Sequence, residues 1–120
     1  MTQERPNGKA ASESPTAAVD RLAGELGGVS RREAGKSVEY SRSSVLFATR
    51  ENGWLNFRLR PEIAAAALRT PDTAVSSRGR EWVSLAPAAL DSFALDRATA
   101  WFEVAWRLAG ESAAPGAAPN

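Results

Sequence analysis

Residues 45–62 read VLFATRENGWLNFRLRPE. Two runs rich in β-branched and aromatic residues, Val45–Arg50 and Trp54–Arg60, flank Asn52-Gly53. Asn-Gly supplies the positive φ that both central positions of a type I′ turn demand, so the stretch predicts a tight β-hairpin. With those two residues as the loop, Glu51 faces Trp54 and the register follows. Leu46–Leu59, Ala48–Phe57 and Arg50–Leu55 are then opposed on one side. Val45–Arg60, Phe47–Arg58, Thr49–Asn56 and Glu51–Trp54 are opposed on the other. A slip of one residue would scramble this sorting, so turn and pattern support each other.

The hairpin runs into Pro61-Glu62, which suits the start of a helix: proline is pre-set for the first turn and glutamate favours the positive end. Ile63–Leu68 is mostly alanine, which predicts close packing, and Thr70-Pro71-Asp72 ends the helix. Residues 72–80, DTAVSSRGR, read as a polar loop with a short strand at 74–76. Glu81–Leu85 alternates, with Val83 and Leu85 to one side and Trp82 and Ser84 to the other, as a strand does. A turn at 87–90, capped at Asp91 or Ser92, leads to the longest helix. That helix is expected over 94–109 and stopped by Gly110; Leu95, Ala98, Trp101, Phe102, Ala105 and Trp106 fall on one face. Trp101 and Trp106 read as core and core edge, and Glu103 sits one turn before Arg107 in the favourable order.

Upstream of the hairpin, Val38 and Tyr40 alternate with polar residues as a first strand. Residues 29–36, VSRREAGK, read as a basic connector. A first helix is expected from a Thr16 cap to about Leu26, with Gly27-Gly28 as its stop. The order helix, strand, hairpin, helix, strand, helix predicts an α+β fold: a small antiparallel sheet with the N- and C-terminal helices on one face and the other face open.

Composition narrows the chemistry. The chain of 120 residues has no Cys and no His, which removes Ser-His and Cys-His nucleophile pairs, thiolate or imidazole zinc sites and disulfides. Of the 43% counted as hydrophobic, 24 residues are alanine, enough for one small core. Residues 1–15 and 111–120 hold no large apolar residue after Met1 and read as disordered tails around one domain at 16–110. No apolar run suits a signal peptide or a membrane span, and a cytoplasmic location is expected. The 16–110 segment carries 13 Lys+Arg against 11 Asp+Glu, a net of +2.

Element order and motifs resemble the MmcQ/YjbR family, whose fold is similar to the frataxin-like CyaY fold. The residues carrying the resemblance are VLFATRENGWLNFRLRPE at 45–62, GREWVSLA at 79–86 and ALDRATAWFEVAWRL at 94–108. The resemblance implies a compact α+β domain of a family often described as DNA-binding, and no catalytic residues or cofactor. Frataxin handles iron with an acidic first helix. Here that helix holds Asp20 and Glu25 beside Arg21, so no iron role is implied.

The open face is the place to look for a site. The predicted register gives it Phe47, Thr49, Asn56, Arg58 and Arg60, with Trp54 at its end and Trp82 and Ser84 from the later strand. Rings beside guanidinium groups form a stacking platform suited to nucleic acid or a planar anionic small molecule. Arg78 and Arg80 of the polar loop are candidates to join it. A second basic cluster, Arg31, Arg32, Lys36 and Arg42, would form a phosphate patch with them if the two loops lay side by side; solvated loop charges are the commoner arrangement. In the competing reading, Phe47 and Arg58 are an ordinary cross-strand pair and loop 72–80 covers Trp82. No carboxylates converge for acid–base work and no base faces Ser76-Ser77, so the expectation is a non-enzymatic binding protein, a monomer or weak homodimer. The alternatives are a small-molecule-binding resistance or accessory protein, or a dimerisation module that buries the open face.

Overall fold

The computed structural model describes residues 13–86 and 92–113; the tails up to 12 and from 114, and the expected turn at 87–90 with Asp91, lie outside the described residues. Helix α1 (Pro15–Glu25) is followed by strands β1 (Val29–Ala34), β2 (Ser37–Arg42), β3 (Val45–Glu51) and β4 (Trp54–Arg58). Helix α2 (Pro61–Ala67), strands β5 (Thr73–Val75) and β6 (Trp82–Leu85), and helix α3 (Ser92–Ala113) complete the chain. The six strands form one antiparallel sheet in the order β1-β2-β3-β4-β6-β5. The α+β class expected from the sequence is the class observed.

The first four strands are a meander closed by two-residue loops. Asn52 (φ 51°) and Gly53 (φ 84°) form the predicted turn, and four of the predicted pairs are present: Ala48–Phe57, Thr49–Asn56, Arg50–Leu55 and Glu51–Trp54. Ser43 and Ser44 also take positive φ, 52° and 69°, between β2 and β3, a conformation that costs residues with a Cβ more than it costs glycine.

Two sequence expectations fail here. The stretch 29–36 is not a connector. Residues 29–34 are β1, paired with β2 from Val29–Arg42 to Ala34–Ser37 around Gly35-Lys36. As an edge strand with Ser30, Arg31, Arg32 and Glu33 exposed, it has no buried face and so no alternation to read. The other failure concerns Phe47. Tyr40 pairs with Ala48 but Ser41 pairs with Leu46, so Phe47 is the extra residue of a β-bulge. A bulge breaks the two-residue alternation. Phe47 therefore joins Ala48 in the interior, 0% exposed, and its ring centroid lies 5.1 Å from that of Phe102. The predicted pairs Leu46–Leu59, Phe47–Arg58 and Val45–Arg60 are absent from the ladder: β4 ends at Arg58, whose partner on the other side is Trp82.

The helices cover one side of the sheet, called the inner side below. Val19 of α1, Tyr40, Phe47, Leu55, Phe57, Leu59, Val83 and Leu85 meet Ala64 and Ala67 of α2 and Ala98, Phe102, Ala105 and Ala109 of α3 in one core. Tyr40 stands edge-on to Phe102 at 5.2 Å, and Phe57 to Trp101 at 6.1 Å. Alanines on both helices let the backbones approach the large sheet side chains closely.

The helix ends differ from expectation. Ser14, not Thr16, caps α1 by accepting from the Ala17 N–H at 3.1 Å. Helix α3 starts at Ser92 and runs on through Gly110 to Ala113. A Cβ at Gly110 would fall 2.4 Å from an Arg42 guanidinium nitrogen, so Arg42 would have to shift to admit one. That guanidinium lies 4.0 Å over the Trp106 ring and donates to the Trp106 carbonyl at 3.0 Å, while the Trp106 indole N–H donates to the Gly27 carbonyl at 2.9 Å. Arg42 is thus a fastener between β2 and α3, not part of a basic surface cluster.

Asp20 fastens α1 to the sheet. Its carboxylate accepts from the Tyr40 hydroxyl at 2.5 Å and from Arg31 at 3.1 Å, with Arg50 at 3.7 Å. Burial alone would raise the Asp20 carboxyl, but the hydrogen bonds from Tyr40 and Arg31 and the charges of Arg31 and Arg50 hold it below its ordinary value. Burial first, and then the bond to Asp20, push the Tyr40 hydroxyl up to about 12. A carboxyl depressed in the folded state stabilises the fold above its unfolded pKa, and the contribution is lost as pH falls through the folded value. Asp20→Asn is therefore expected to lower the urea midpoint at about pH 6, with the difference from the parent closing by about pH 2. A constant difference over that window would remove the role given to the charge.

Candidate ligand-binding face

Alternation along β4 and β6 decides which side chains face away from the helices. Leu55, Phe57, Val83 and Leu85 point inward and are buried, which leaves Trp54, Asn56, Arg58, Trp82 and Ser84 outward. The register aligns a polar row straight across the sheet: Arg32, Glu39, Thr49, Asn56, Ser84 and Ala74, each opposite the next. Within it the Ser84 hydroxyl bonds the Asn56 side-chain carbonyl, the Asn56 amide donates to the Thr49 hydroxyl at 2.9 Å, and Arg32 donates to Glu39 at 3.0 Å. Asn56 is 4% exposed, yet its amide is satisfied on both sides, as a buried polar group must be.

The chain between β5 and β6 folds over part of this side. The Arg78 guanidinium lies 5.4 Å over the Trp82 ring and reaches Glu51 at 2.8 Å, spanning the polar row from one flank to the other. Trp82 is left 9% exposed, which is the covered arrangement weighed from the sequence. Arg58 pairs with Glu81 at 3.3 Å.

A cavity of about 310 Å³ remains beside this strap, with Asn56, Ser84 and Ala74 as its floor. Glu51, Asn52 and the Trp54 indole form one wall, and Val75, Ser76 and Ser77 the other. Trp54 is 40% exposed. Its ring is the open aromatic surface of the site; beside it the Asn56 amide keeps one N–H and one oxygen lone pair beyond its present bonds, and Ser77 is exposed.

Of the residues singled out from the sequence, Trp54, Asn56, Arg58, Trp82 and Arg78 share this face. Phe47 does not, being core. Arg60 does not either: it follows β4 as the N-cap of α2 and pairs with Glu111 of α3 among the helices. Arg80 lies off the polar row, exposed beside Pro61, Ala64, Leu68 and Val75 where α2 meets the β5–β6 hairpin. The two basic clusters do not lie side by side, because β1 and β5 are opposite edges of the sheet. Arg31 and Arg32, adjacent on β1, point to opposite sides, Arg31 to Asp20 and Arg32 to Glu39.

Sequence reading missed the partners Glu51 and Glu81 and the wall Ser76-Ser77. The alternation Trp82-Val83-Ser84-Leu85 shows which side Trp82 faces, but pairing with Glu51 depends on how the 76–81 segment curls back, which no local pattern encodes. No protein-family model, curated protein or solved structure matches this chain.

Proposed function

We propose that this chain is a non-enzymatic, cytoplasmic binding protein of the MmcQ/YjbR type that takes a small planar polar molecule on its outer sheet face. The observation carrying the reading is the half-open Trp54 indole standing beside the satisfied Ser84–Asn56–Thr49 row in a cavity of ligand size. A ring stacks on Trp54, and its edge polar groups meet Asn56, Ser84 and the Ser76-Ser77 wall.

The nucleic-acid reading shares this face. It is less favoured because Arg58, Arg78 and Arg32 are each already paired with a carboxylate, and phosphate neutralisation supplies most nucleic-acid affinity. Among the described residues no helix is long and apolar enough to cross a membrane.

The test is a titration with adenosine, and separately with a single-stranded oligonucleotide, followed by NMR shifts of the tryptophan indole and Asn56 side-chain amide protons. Adenosine is expected to move Trp54 and Asn56 with little salt dependence. Trp54→Ala should weaken it about 5- to 100-fold, the worth of one stacked ring. Oligonucleotide binding that falls steeply with salt and moves Arg78 and Arg80 would favour the nucleic-acid reading. No movement of Trp54 or Asn56 with either probe would overturn both.

A further inference from the structure

Most arginines of the described chain are matched. Arg21, Arg31, Arg32, Arg58, Arg60, Arg78 and Arg107 each pair with a carboxylate. Arg42 and Arg97 donate to backbone carbonyls. Arg50 stands apart. It shares Asp20 with Arg31: Tyr40 and Arg31 bond the Oδ1 oxygen, and Arg50 makes a looser ion pair with Oδ2 at 3.7 Å. The Arg50 Nε is buried without a hydrogen-bond partner.

Arg50 also lines a cleft of about 510 Å³ on the inner side of the sheet, between α1 and two hairpin tips. One tip brings Gly35 and Lys36, the other Asn52 and Gly53, and α1 presents Thr16. Lys36 is exposed and makes no ion pair among the described residues. The lining contains one acid, Glu33, whose carboxylate is already taken by Arg31 at 3.1 Å. The first turn of α1 holds no acidic residue to offset its positive end. Two cations line one open cleft, and the nearby carboxylates are shared with Arg31, so positive charge is left in excess.

We propose that this cleft is a site for a tetrahedral oxyanion, a phosphate group, held by the Arg50 fork and the Lys36 ammonium. A dianion suits a cleft in and beside which the cations Arg31, Arg50 and Lys36 outnumber the carboxylates Asp20 and Glu33, and a guanidinium donates to phosphate oxygens in one plane. The site is separate from the Trp54 cavity, which opens on the other side of the sheet and shares with it the Asn52 tip alone.

The experiment titrates the intact chain with inorganic phosphate, with sodium chloride and sodium acetate as arms of matched ionic strength, and follows backbone amide shifts together with thermal unfolding. Phosphate is expected to give a saturable shift at Thr16, Lys36 and Gly53 and a rise in Tm beyond either control. Lys36→Glu, at an exposed turn where folding is not at stake, should weaken the response roughly tenfold or more, and Arg50→Gln should do the same. Arg69→Gln, outside the cleft, should leave it unchanged. An equal response to chloride or acetate, shifts centred elsewhere, or a Lys36→Glu variant that binds phosphate as the parent does would each overturn the proposal.

Discussion

Phe102→Ala is expected to cost about 3–5 kcal/mol, the range for deleting a fully buried phenylalanine. The ring is 0% exposed and stands edge-on to both Tyr40 and Phe47, so truncation opens a cavity and removes two aromatic contacts worth about 0.5–1.5 kcal/mol each. Against a total stability of about 5–15 kcal/mol, and at roughly 4–8 °C per kcal/mol for a domain of this size, the variant should unfold well below the parent. Phe102→Leu should lose distinctly less because it fills more of the space. Phe93→Ala, about two and a half turns upstream on an exposed ring, should change stability by under about 1 kcal/mol. Denaturant unfolding of the three variants checks the order; near-equal losses at 102 and 93 would deny Phe102 its central place.

Phe47→Lys should be more severe still, at about 4 kcal/mol or above, because a charge would enter the core with no partner. Glu39→Lys is the control: Glu39 is on the outer row and its exposed partner is Arg32, so the change should stay within about 1 kcal/mol. The pair of variants reports on the bulge directly. With unbroken alternation, Phe47 would sit on the outer side beside Arg58 and tolerate lysine. A Phe47→Lys chain that folds with the parent's midpoint would place the bulge elsewhere.

That residue marks the boundary of what could be read from the chain. Asn52-Gly53 fixed the register of the central hairpin because the turn chemistry and the alternation around it agree, and all four pairs nearest the turn are found. Five residues further out the alternation of Val45–Arg50 carries no sign of its interruption: whether Phe47 or a neighbour is the extra residue is decided by β2, across the ladder, and by the space Phe102 needs filled. β1 was invisible for a different reason. A strand with polar residues on both sides has no period-2 signal, and only its ladder with β2 reveals it. Gly110 looks like a helix stop in isolation; in the fold it lies inside α3 against Arg42, 68 positions away in sequence. The candidate site divides in the same way. Trp54, Asn56 and Trp82 were legible from alternation alone. Their ionic partners Glu51 and Glu81 were not, because those pairings arise between segments that meet through the sheet order.

The borders of the sheet bear on how many copies of this chain can coexist. On one border, β1 presents Arg31, Arg32 and Glu33 in succession; on the other, β5 is three residues long. A filament grows by adding strand to strand along an open border, and it needs a stretch that is both long and uncharged. One border is charged and the other short, so among the described residues neither is a ready template for lateral polymerisation.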